Sequence, residues 1–76
     1  MKLYKLTRNN AVGYDENAGF MIAANDEQQA RVLASYAVID EPSVTWIDPT
    51  LSACIQVGTA TRGTKAGIVL TDFNAG

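Results

Sequence analysis

With 76 residues, one cysteine and no histidine, the chain excludes an internal disulfide and histidine-based acid–base catalysis, and leaves too few ligands for an ordinary zinc site. The net charge of -2 hides a division: residues 9–61 carry Asp15, Glu16, Asp26, Glu27, Asp40, Glu41 and Asp48 against Arg31 alone, a net of -6. The two ends, with Lys2, Lys5, Arg8, Arg62 and Lys65 against Asp72, sum to +4.

One domain over 1–76 is expected, and a chain of this size buries only about 60% of the surface it exposes when unfolded. There is no 18-residue apolar run and no charged segment leading into an apolar one, so a soluble protein of reducing cytoplasm is expected.

Residues 2–8, KLYKLTR, alternate as a first strand, with Tyr4 and Leu6 on one face and Leu3 and Lys5 on the other. Residues 9–19, NNAVGYDENAG, are too polar and broken for a regular element and predict a long hairpin loop anchored by Val12 and Tyr14. Phe20 to Ala24 predicts a second strand that runs straight into a helix over the stretch from Asn25 to Ile39. Either Asn25 with Gln28 or Asp26 with Gln29 has capping-box spacing. Ala30, Leu33, Ala34, Ala37 and Val38 recur at helical spacing, a narrow stripe of small side chains that lets a helix lie close on a sheet.

Pro42 ends the periodic pattern, because the residue before a proline is pushed out of the α region. Val44 to Ile47 is either a brief strand or a tucked loop plugged by Trp46, closed by a turn at Asp48-Pro49-Thr50. Ala53 to Ala60 predicts a third strand, weakened or bulged near Gly58. Residues 61–65 predict a hairpin turn into a last strand from Ala66 to Phe73, with Ile68 and Leu70 on one face and Val69, Thr71 and Phe73 on the other.

The fold class expected is α+β: a single, mainly antiparallel sheet with element order β-β-α-β-β and one helix across one face. The opposite face then has to be polar, dimerised or occupied by a partner. Leu3, Met21 and the two-sided last strand make it a second apolar surface, unless that strand is central and both faces are covered.

No constellation supports catalysis. Gly58 to Lys65 resembles a phosphate-binding loop but places Thr64 between the second glycine and the lysine, and a strand follows instead of a helix. Cys54 alternates with Ile55 and reads as a small core hydrophobe. The carboxylates come as neighbours in sequence, which do not converge as a general acid and base. Asp15, Glu16 and Asn17 lack the spacing of a calcium loop. No cofactor and no metal is expected.

The candidates that remain are contact residues. Tyr14, Asp15, Glu16, Asp40, Glu41 and Asp48 offer an aromatic anchor and an acidic patch for a protein partner. Lys2, Lys5, Arg8, Arg62 and Lys65, with Tyr4, form a basic patch only if the first and last strands lie together. Weak single-strand nucleic-acid binding would use that patch.

The opening MKLYKLTRN, VGYDENAGF, the junction AANDEQQAR, the lone Trp46 with Asp48-Pro49, and the terminal GIVLTDFNAG together resemble the small proteins that bacteriophages and prophages carry. Products of that class include compact inhibitors of host defence, among them anti-CRISPR proteins, which bind an effector complex and block it. The resemblance implies a non-enzymatic protein-binding module in the host cytoplasm. Two alternatives stay open, a homodimeric structural or regulatory accessory protein sealed through the uncovered sheet face or an edge strand, and a weak single-strand nucleic-acid binder.

Overall fold

The computed structural model of the chain describes residues 1–9, 16–38 and 41–74, the side chains of 16, 73 and 74 excepted. The elements follow as β1 (Lys2–Arg8), β2 (Glu16–Ala24), α1 (Glu27–Ala37), α2 (Val44–Ile47), β3 (Ser52–Thr59) and β4 (Gly67–Asn74). The strands form one antiparallel sheet in the spatial order β3-β1-β2-β4, and α1 packs against one face of it. The α+β class and element order expected from the sequence are those observed.

The central pair is the β1–β2 hairpin, and β3 and β4 are added on its two outer sides. Residues 60–66 therefore do not form a hairpin between neighbours, as the sequence suggested. They carry the chain across the end of the sheet over three strand spacings, roughly 14 Å. The Ala60 amide donates to the Met1 carbonyl at 2.8 Å along the way. A tight turn closes from the Thr64 amide to the Thr61 carbonyl at 3.1 Å, with Gly63 at a φ of 91° that a side chain would disfavour.

The α1 cap uses the second of the two expected pairs. Asp26 Oδ1 accepts from the Gln29 amide at 2.8 Å, and Gln29 Oε1 reaches back to accept from the Asn25 amide at 2.7 Å. Glu27 adds a negative charge in the first turn, where the helix dipole favours it. The helix ends at Ala37, with Val38 extended; Ile39 lies outside the described residues. Ala30 and Ala34 are buried as expected and Leu33 and Val38 pack partly against the core, whereas Ala37 is exposed.

Between α1 and the sheet lie Tyr4, Leu6, Phe20, Ile22, Ala24, Ala30, Ala34 and Trp46. Residues 44–47 are a helical turn, not a strand, and Trp46 is the plug, fully buried and edge-on to Phe20 at a centroid distance of 4.8 Å. A buried aromatic pair of this geometry contributes about 1 kcal/mol beyond its area.

Two irregularities decide which way the outer strands point. Tyr4 pairs with Gln56 while Leu3 pairs with Gly58, so Val57 is the extra residue of a bulge beside the glycine. On the other edge Ile22 pairs with Ile68 but Met21 pairs with Leu70, so Val69 is extra. Ile68 and Leu70 consequently lie on opposite faces, contrary to simple alternation: Ile68 joins the helix side and Leu70 the open side. Among the described residues no helix is long and apolar enough to cross a membrane.

Candidate binding surfaces

Tyr14, Asp15 and Asp40 lie outside the described residues, as does the side chain of Glu16. Glu41 is not a surface contact. Its side chain is 1% exposed, with Oε2 accepting from the Asn17 amide at 2.8 Å and Oε1 accepting from Trp46 Nε1 at 3.0 Å and Asn17 Nδ2 at 3.3 Å. Arg8 Nη1 stands 3.6 Å from Oε2 and donates to the Asn17 carbonyl at 3.4 Å. A carboxylate taken from water needs such donors around it. Glu41 thus ties β1, β2 and α2 to the segment after α1, and its charge is directed inward.

Asp48 shapes its own turn. Oδ1 accepts from the Thr50 amide at 2.8 Å and the Thr50 hydroxyl at 2.7 Å, and these bonds, the backbone one foremost, hold the carboxyl below the ordinary carboxylate range. The described residues therefore assemble no acidic patch from these candidates.

The basic residues are separated by the strand order. β1 and β4 do not touch, since β2 lies between them. Lys2 and Arg8 occupy opposite ends of β1, roughly 20 Å apart at strand rise. Lys2 and Lys5 point to opposite faces, and Arg62 and Lys65 are exposed in the connection at the Lys2 end. Tyr4, the stacking candidate, is buried in the core.

Arg31, in the sequence only the lone positive charge of residues 9–61, is buried at a structural junction. Nη1 donates to the Trp46 carbonyl at 3.1 Å and Ser52 Oγ at 2.9 Å, Nη2 donates to the Ser52 carbonyl at 3.0 Å, and Nε donates to Glu27 Oε2 at 2.8 Å. The signal was present: Arg31 stands four residues after Glu27 and three before Ala34, on the flank of the alanine stripe. Cys54 packs against the core, and burial pushes its thiol from 9.0 up to about 11. Among the described residues no group of His, Cys, Asp or Glu could hold a metal ion.

What the helices leave uncovered is the other face of the sheet. Pairing places Ile55, Lys5, Met21 and Leu70 in one row across all four strands, and Ala53, Thr7, Gly19 and Asp72 in the next. Ile55 and Leu70 are 60% and 66% exposed, and Leu3 and Met21 are half-buried beside them. At the centre, over Gly19, lies a shallow hollow of about 140 Å³ whose rim includes Lys5, Met21, Leu70 and Asp72. Gly19 is required here, because a Cβ would stand 2.7 Å from the Leu6 carbonyl oxygen. The outer strands flank this face, and β3, SACIQVGT, carries no charge. Such an edge is unprotected against pairing with another chain.

Comparison of the chain with protein-family models, with curated proteins and with solved structures returns no match.

Proposed function

We propose that this chain is a non-catalytic protein-binding module whose contact surface is the open face of its sheet. The observation that supports the reading is the uncovered apolar row of Ile55, Met21 and Leu70, on a sheet whose other face is filled by the core. Contiguous exposed apolar area on a small protein marks an interaction site. Covering Ile55 and Leu70 from their present exposure is worth about 1–2 kcal/mol each, roughly 30- to 1,000-fold in affinity together. Inhibition of a host-defence complex, suggested by the phage-like sequence, is the narrower form of this reading and would act from the sheet face, since Glu41 is directed inward.

The test is a comparison of complexes recovered with tagged wild type, with an Ile55→Glu/Leu70→Glu variant and with Tyr36→Glu, which alters the 82% exposed side chain on α1. Wild type and Tyr36→Glu should give the same stoichiometric protein complex, homotypic or heterotypic, and the sheet-face variant should lose it while keeping its circular dichroism and melting temperature. A complex indifferent to the sheet-face changes, or no complex for wild type, refutes the reading.

A further inference from the structure

The open face carries two charges among its described side chains, and they are opposite. Lys5 projects from β1 and Asp72 from β4; both are exposed and neither makes an ion pair among the described residues. Two strand spacings and two residues of rise separate them, roughly 12 Å. The midpoint falls on β2 over the Gly19 hollow.

Resting on the reading that the open face is the contact surface, we infer that its occupant is a second copy of this chain. The two sheets pack face to face about a two-fold axis, with Lys5 of each copy against Asp72 of the other. An axis lying between the sheets along the perpendicular bisector of the Lys5–Asp72 line exchanges the two positions, so one geometry makes both pairs at once. Such an isologous contact is the commonest way for identical chains to associate. It surrounds each ion pair with the apolar row, where screening by water is reduced.

The contact is small and directed by its charges. An axis over β2 lays β1, β2 and β4 of one copy over those of the other, roughly 14 Å by 26 Å, so each face contributes about 370 Å² and the pair about 750 Å², the size of a weak association. The Gly19 hollow gives a facing side chain room at the axis. Among the described side chains of the open face Lys5 and Asp72 are the only charges, so the arrangement sets no like pair of them opposite one another.

Sedimentation equilibrium of the purified chain over a wide concentration range reads the association, with circular dichroism as the fold control. Wild type should be a dimer in the micromolar range. Lys5→Asp alone and Asp72→Lys alone should each raise the dissociation constant by about 10-fold or more, because each sets like charges opposite one another twice. An equimolar mixture of the two variants should recover the wild-type constant, since the mixed dimer restores both opposite-charge pairs. A wild type that stays monomeric, variants that dimerise as well as wild type, or a mixture no better than its components overturns the inference. A monomer that still forms a heterotypic complex lost in Ile55→Glu/Leu70→Glu would leave the protein-binding reading standing and remove only the second copy.

Discussion

Replacing Arg31 by methionine isolates the junction that joins α1, α2 and β3. Methionine retains most of the aliphatic stem, so the packing loss is small, but the three acceptors served by the guanidinium stay behind: the Trp46 carbonyl, the Ser52 carbonyl and Ser52 Oγ. Ser52 and Trp46 are fully buried. Each buried acceptor left without a donor costs about 1–3 kcal/mol, and partial entry of water brings the sum to about 3 kcal/mol. A 76-residue domain has a total stability of about 4–11 kcal/mol, so this loss is a large part of it.

Urea unfolding followed by Trp46 fluorescence, at one fixed protein concentration, should show the midpoint falling by roughly 2–3 M for a slope near 1 kcal/mol/M. The melting temperature should fall by roughly 12–24 °C. Glu27→Gln is the control, because it removes the contact whose acid partner is 53% exposed, together with the first-turn charge, and leaves the buried acceptors served. It should cost less than about 1 kcal/mol. If Arg31→Met loses less than about 1 kcal/mol, or if Glu27→Gln costs as much, the junction is not what holds these elements together.

Glu41→Gln keeps the shape of the side chain but turns its amide NH2 toward Trp46 Nε1 or the Asn17 amide, a donor against a donor, and removes the negative charge beside Arg8. A loss of about 2–4 kcal/mol is expected in the same urea assay; a neutral result would show that the inward carboxylate is dispensable. Cys54, with its thiol raised from 9.0 to about 11 by burial, holds about 100-fold less thiolate at pH 8 than an ordinary thiol. Its alkylation by iodoacetamide should be slower by about that factor than in the urea-unfolded chain, and equal rates would contradict its placement. Because the folded-state value is the higher one, the contribution of Cys54 to stability is complete below pH 9.0 and is lost as the pH rises toward about 11.

Local rules carried much of the fold. The alternation of Tyr4 and Leu6 against Leu3 and Lys5 determined which way β1 faces, since strand side chains alternate whatever lies beside them. The pairs Asn25/Gln28 and Asp26/Gln29 placed the start of α1 to within one residue, because both sides of such a cap lie within one turn, and the structure uses the second. The size of Trp46 in so small a chain pointed to the core. Tertiary structure decided what depends on distant partners: the order β3-β1-β2-β4, which turned a supposed hairpin into a crossing and separated the basic residues; the bulge at Val69, which sent Leu70 to the open face and Ile68 to the other; and the destinations of Arg31 and Glu41. A charged side chain in a sequence looks solvated by default. Only the backbone carbonyls and N–H groups brought to it by other segments make burial cheaper than exposure, and those segments are remote in the chain.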